Sequence, residues 1–163
     1  MRRALPTILL SLLMLLIHST LVPFLAIRDV IPDILLIWIV ILAVREGQIT
    51  ATIAGFALGL AQDLVGAGAG MIGLAALSKT VAGFVAGYFY NENKIQQTLG
   101  GYTFIVAVGI AALLQNVIYF IVYLQGSSLG LGSIMLEYGI PATLYTAAVG
   151  LLPMFAFARR YRT

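Results

Sequence analysis

Two charged residues, Asp63 and Lys79, lie inside apolar stretches of the chain, where a charge is costly and therefore a functional candidate. A carboxylate and an ammonium in such surroundings can pair with each other or bind a polar ligand. Asp63 ends one series of residues spaced four apart, and Lys79 begins another. On a helix, each series forms one stripe. The glycines of the two stripes are Gly55, Gly59, Gly83 and Gly87. A GAGAG turn between them predicts an antiparallel helical hairpin, closely packed through its glycines, in which Asp63 pairs with Lys79.

Other polar residues are candidates for the same cluster, although each also has a purely structural interpretation. Asp33 fits a helix-capping acid as well as a pocket residue. Glu137 fits an interfacial residue in contact with water, and His18 fits a hydrogen bond across a helix seam. Gln115 and Asn116 point about 100° apart on a helix, so only one can face a common centre. The predicted intramembrane cluster or pocket comprises Asp33, Asp63, Lys79, Glu137, Asn116 and His18.

The sequence contains few of the residues and motifs that catalysis or metal binding requires. The chain has no cysteine and a single histidine, which argues against disulfides, thiolate nucleophiles and zinc-thiolate sites. We find no phosphate-binding loop, nucleophile elbow or zinc-protease motif. We therefore expect a protein that is not an enzyme and that needs no cofactor or metal.

The composition is that of an integral membrane protein. Hydrophobic residues make up 61% of the 163 positions and charged residues only 9%, against about 25% in soluble proteins. Mean hydropathy is +1.05. The net charge of +3 comes from basic residues that lie mainly at segment ends, which orient a protein in a bilayer rather than bind nucleic acid.

The apolar runs that must position the charged residues predict an all-α polytopic protein with about six transmembrane helices in a single domain, 1–163. The second run is shorter than the roughly 17 residues of a minimal span. Its helix therefore crosses the membrane only if flanking residues extend it or the bilayer thins locally, or it crosses only in part. The predicted helices cover residues 4–23, 31–45, 49–65, 71–90, 99–124 and 134–158.

The basic residues predict the orientation. With six crossings and a cytoplasmic N-terminus, only Arg28 is external, and both termini lie in the cytoplasm. The acidic residues Asp33, Asp63 and Glu137 then lie toward the outer side. The predicted cytoplasmic basic residues are Arg2, Arg3, Arg45, Lys94, Arg159, Arg160 and Arg162.

Residues 31–90 resemble the MreD family of bacterial rod-shape-determining membrane proteins. The resemblance rests on a Pro-Asp that opens a helix, a glycine-rich helix that ends near an Asp, and a following G-x-x-A-L-x-K helix. Here these are Pro32-Asp33, the helix with Gly55, Gly59 and Asp63, and the run through Gly73, Ala76, Leu77 and Lys79. Beyond Leu99 only hydropathy matches, so no residue role is carried over there.

The resemblance implies a non-enzymatic subunit of the elongasome in the bacterial inner membrane. Such proteins bind the single-span scaffold MreC and work, directly or indirectly, with MreB, RodA and a class B transpeptidase during lateral peptidoglycan synthesis. We also expect contact with membrane lipid. On this hypothesis helix seams present a surface for the transmembrane segment of MreC, and the polar cluster shapes that contact or a small internal pocket.

The family is also similar in fold to the S-components of energy-coupling vitamin transporters, which likewise have about six helices. A substrate-binding S-component is therefore the alternative function. It requires a pocket shaped for a vitamin and a small-residue surface for the coupling subunit. The sequence has such surfaces but no specific vitamin-recognition motif.

Overall fold

The chain forms a bundle of helices in the computed structural model, which describes residues 4–66, 72–125, 128 and 130–161. No β-strand occurs within these ranges, and the all-α fold class is confirmed. In chain order the α-helices are α1 (Ala4–Thr20), α2 (Ile34–Glu46), α3 (Gln48–Val65), α4 (Leu74–Ala86), α5 (Ile95–Leu99), α6 (Tyr102–Tyr123), α7 (Leu131–Ile134) and α8 (Ile140–Tyr161).

Short helical turns extend or join several of these helices. Three are 3₁₀ turns, of which Gly87–Phe89 continues α4, and one is a π-helical turn, Met135–Gly139, that connects α7 with α8. The ends of the six longer helices differ from the predicted ends by up to four residues, except that α8 begins at Ile140, six residues after the predicted start at Ile134. The predicted GAGAG turn lies mostly outside the described residues.

Three described helical segments are long and apolar enough to cross a membrane: Gln48–Val65, Tyr102–Tyr123 and Leu131–Arg159. Two further apolar helices, Leu5–Thr20 and Leu74–Phe89, are shorter. Many large apolar side chains face outward on these helices, as lipid-facing surfaces require. The chain is therefore a membrane protein.

Helix α2 occupies the centre of the bundle, which explains its short length and its entirely apolar middle. All ten residues from Leu35 to Val44 are buried, and they belong to a core shared with α3, α4, α6 and α8. A helix that faces protein on every side is apolar all round. Gly47, at φ +90°, then reverses the chain directly into α3.

Helices α3 and α4 form the predicted antiparallel pair, but their glycines face the opposing backbone rather than one another. A Cβ placed on Gly59 would lie 2.5 Å from the carbonyl oxygen of Ala75. One placed on Gly83 would lie 2.5 Å from the carbonyl oxygen of Ala51. Gly55 lies against the backbone of Lys79 in the same way, and Gly87 against Gln48. Glycine at these positions is what allows the two backbones to approach so closely.

Candidate functional site

Asp33 lies at the start of α2 and uses its side chain and its backbone in different contacts. Its Oδ1 accepts a hydrogen bond of 2.9 Å from the backbone N–H of Leu36, so Asp33 is the N-cap of α2. Its own backbone N–H donates to Thr146 Oγ1 of α8 over 3.0 Å. The capping interpretation is therefore correct, but capping occupies only one carboxylate oxygen.

The other carboxylate oxygen of Asp33 binds Lys79 and Gln115. Lys79 Nζ of α4 forms an ion pair with Oδ2, and Gln115 Nε2 of α6 donates to the same oxygen over 2.7 Å. Lys79 Nζ also donates to Gln115 Oε1 over 3.2 Å. We call Asp33, Lys79, Gln115 and Thr146 the Asp33 network; it joins α2, α4, α6 and α8.

The Asp33 network is mostly buried, with 16% of the Asp33 side chain exposed, and its members satisfy one another. Lys79 is 1% exposed and Gln115 is 9% exposed. A buried charge needs both an opposite charge and hydrogen bonds, because desolvation otherwise outweighs the attraction of the pair. Here Gln115 supplies one donor and one acceptor to the pair, so carboxylate, ammonium and amide form a closed triangle.

The predicted pair of Asp63 and Lys79 is wrong. Asp63 Oδ2 instead accepts hydrogen bonds from the backbone N–H groups of Gly73, Ala75 and Ala76, at 2.8, 3.1 and 3.2 Å. These are the unpaired donors at the start of α4, where a negative charge also favours the helix dipole. Asp63 therefore caps the next helix along the chain.

The antiparallel register explains why Asp63 cannot reach Lys79. Gly55 lies against the backbone of Lys79, and Gly59 lies against Ala75 and Ala76. Moving four residues further along α3 brings Asp63 to the very beginning of α4, which is more than one helical turn from Lys79. The two acids at this end of the bundle thus have separate roles.

A small cavity of about 190 Å³ opens beside the Asp33 network. His18 of α1 and Gln62 of α3 contribute to its wall and contact each other, with 3.3 Å between His18 Nε2 and Gln62 Nε2. The buried atoms His18 Nδ1 and Gln62 Oε1 have no protein partner. Buried polar atoms of this kind are normally satisfied, often by water. The cavity therefore suits small hydrogen-bonding molecules.

Asn116 and Glu137 lie apart from the ion pair. Asn116 borders the cavity, but its Nδ2 donates to Gly139 O at 3.1 Å and to Thr143 Oγ1 at 3.0 Å. It therefore fastens α6 to the π-helical turn before α8. Glu137 is exposed and lines a different surface hollow of about 520 Å³, together with Arg28. The structure does not bring Glu137 to the Asp33 network.

The sequence-based list omitted three residues that belong here. Gln115, rather than its neighbour Asn116, contacts the ion pair. Gln62 and Thr146 line the cavity but are absent from the predicted cluster. Gln62 directly precedes Asp63 in a membrane-length helix, and Thr146 lies two turns from Glu137 in another. A search for every amide and hydroxyl side chain at the depth of Asp33 could have found both.

The cavity beside the Asp33 network is small. About six water molecules, at roughly 30 Å³ each, fit the cavity, which is smaller than the roughly 300–1,000 Å³ of most small-molecule sites. Within the described ranges, no three or more His, Asp or Glu side chains are grouped to hold a metal ion.

No family model matches the chain, and comparisons with curated proteins and with solved structures likewise gave no match.

Proposed function

We propose that this chain is an MreD-like adaptor of the bacterial elongasome, a six-helix inner-membrane subunit that binds MreC and is not an enzyme. The observation that carries the proposal is that the charged residues within the spans bond one another or cap helices. Asp33 and Lys79 pair, and Asp63 binds the backbone of α4. Such contacts build a rigid body from several helices, which is what a scaffold in the membrane needs.

The proposed mechanism places partner binding on the outside of the bundle. Because the Asp33 network lies mostly buried between four helices, it supports the helices rather than touching MreC. The apolar outer faces of the helices then offer the surface for the single transmembrane helix of MreC. Binding there holds MreC in the membrane and biases the assembly of the wall-synthesis complex with MreB, RodA and the class B transpeptidase.

Co-purification tests this proposal directly. We expect the full chain to co-elute with full-length MreC in mild detergent, and deletion of its gene to give rounded cells. A variant of MreC whose transmembrane segment is replaced by an unrelated apolar helix is the matched control and should lose binding. Failure of the wild-type pair to co-elute, together with normal cell shape after deletion, contradicts the proposal.

The orientation with both termini in the cytoplasm has its own test, since the chain contains no cysteine and single cysteines can be added without background. Arg28 and Lys94 are both exposed. We expect a membrane-impermeant maleimide to label Arg28→Cys in intact spheroplasts, and Lys94→Cys only after permeabilisation. Labelling of both variants in intact spheroplasts, or of Lys94→Cys alone, contradicts the orientation.

The alternative of a transporter S-component draws support from the unpaired atoms His18 Nδ1 and Gln62 Oε1. Two observations weigh against it. The cavity is small for a vitamin, and the glycines that could face a coupling subunit are already used between α3 and α4. Vitamin binding or uptake that depends on this chain would favour the alternative over the adaptor.

A further inference from the structure

A further hollow, larger than the cavity beside the Asp33 network, lies on the side of the bundle between α1, α2 and α3. Its volume is about 400 Å³, and side chains of all three helices line it. Most of its wall is apolar, with Leu12 and Leu15 of α1 facing Ala57 and Leu58 of α3. Leu12 is 55% exposed, so the hollow opens to the surroundings of the bundle, which for a membrane protein are lipid tails.

Small side chains on α3 leave space for the hollow beside α1. On α3 the lining includes the small side chains Ala54, Ala57 and Ala61, which fill little of the space. Helix α1 is anchored by polar contacts as well as by the packing of Met14 and Leu15 against the core. One is the 2.8 Å hydrogen bond from Trp38 Nε1 to Ser11 Oγ, and the others lie at the two ends of α1. An apolar hollow that opens to lipid suits a hydrocarbon chain.

The end of the hollow where α2 finishes is polar. Glu46 lines it together with Thr7 and Thr50, and Thr7 Oγ1 donates to Glu46 Oε1 over 3.3 Å. Arg45 precedes Glu46 and is exposed, as is Glu46 itself. Glu46 therefore places an anion at the end of the apolar groove, and Arg45 supplies a cation from the adjacent position of α2, about 100° around the helix axis. The two charges on one helical turn complement a head group with one charge of each sign.

We propose that this groove binds phosphatidylethanolamine, with an acyl chain in the hollow, the ammonium at Glu46 and the phosphate beside Arg45. The ammonium has N–H donors, which a carboxylate and a threonine hydroxyl accept. Phosphatidylcholine has no such donor, and phosphatidylglycerol has no cation for Glu46. The proposal requires only that the chain lies in a bilayer, so it does not depend on binding to MreC.

Lipid titration of the purified wild-type chain, followed by native mass spectrometry, tests the head-group preference. Phosphatidylethanolamine, phosphatidylcholine and phosphatidylglycerol with identical acyl chains are compared. We expect phosphatidylethanolamine to bind about tenfold more tightly than phosphatidylcholine, as one hydrogen bond between charged groups predicts. Equal binding of these two lipids, or tighter binding of phosphatidylglycerol, overturns the proposal.

Variants locate the site within the chain. Glu46→Gln should abolish the preference for phosphatidylethanolamine, whereas Glu92→Gln, which changes an exposed acid elsewhere, should keep it. Ala57→Phe fills the hollow and should weaken binding of all three lipids. Circular dichroism confirms that each variant is folded. A preference for phosphatidylethanolamine that survives Glu46→Gln, or lipid binding unchanged by Ala57→Phe, places the lipid elsewhere and overturns the proposal. If Glu46→Gln does not fold, the comparison of lipids on the wild-type chain and the Ala57→Phe variant decide the proposal.

Discussion

Replacement of Lys79 by methionine is expected to lower the free energy of unfolding by about 3–5 kcal/mol, the usual cost of stranding one charge of a buried ion pair. Lys79 is 1% exposed and its ammonium contacts both Asp33 and Gln115. Methionine matches the length of the lysine stem but leaves the carboxylate of Asp33 without its cation. Thermal unfolding in detergent, followed by circular dichroism, measures the loss.

A double-mutant cycle measures the interaction energy between Asp33 and Lys79 separately from the other effects of each substitution. Asp33→Asn keeps an oxygen that can cap α2, so it mainly strands the ammonium of Lys79. We expect the double variant with Lys79→Met to be more stable than the sum of the single losses predicts, with a coupling of about 0.5–3 kcal/mol. The same cycle with Asp63→Asn should be additive, because Asp63 caps α4 instead.

The matched controls for these substitutions are exposed residues. Lys94→Met and Asp29→Asn change the same residue types at the surface, and each should alter stability by no more than about 0.5 kcal/mol. Coupling between Asp63 and Lys79, or a loss from Lys79→Met no larger than that from Lys94→Met, would contradict the Asp33 network.

Alanine in place of Gly59 is expected to destabilise the chain by about 1–3 kcal/mol, the typical cost of overpacking. Its Cβ would lie 2.5 Å from the carbonyl oxygen of Ala75, a backbone atom that cannot rotate away. Helices α3 and α4 must therefore separate. Thermal unfolding of the purified variant in detergent measures the effect.

Gly109 of α6 provides the matched control, since a Cβ there meets nothing within 4 Å. The same substitution, Gly109→Ala, should stabilise the chain by about 0.4–1 kcal/mol through the lower entropy of the unfolded state. The two alanine substitutions are thus expected to have opposite signs. Destabilisation by both to the same extent would show that the close approach of α3 and α4 is not what Gly59 provides.

Much of the helical architecture was predictable, because long apolar runs leave few alternatives in a membrane. The centre of the bundle was less evident. The second run reaches from about Pro32 to Val44, which reads as a marginal span, and only the packing shows that Leu35–Val44 is enclosed by other helices. Hydropathy measures how apolar a segment is, but it does not say whether lipid or protein surrounds it.

The candidate site was predictable in its residue types and not in its pairing. The predicted cluster includes both Asp33 and Lys79, but the predicted pair of Asp63 with Lys79 does not fit the register of the hairpin. In an antiparallel pair joined after Val65, the partner of Lys79 lies near Gly55, well before Asp63. The choice between Gln115 and Asn116 depends on how α6 is rotated, which the sequence alone does not determine.

The span of the Asp33 network along the chain has a consequence for synthesis and membrane insertion. Asp33 is made 46 residues before Lys79, 82 before Gln115 and 113 before Thr146. Until α4 follows, the carboxylate has no cation, and its burial in hydrocarbon costs at least about 2.5–3.5 kcal/mol. We therefore expect helix α2 to take its central position only as the later helices are inserted around it, with the cation supplied by α4 and the amide and hydroxyl partners of Asp33 supplied by the second half of the chain.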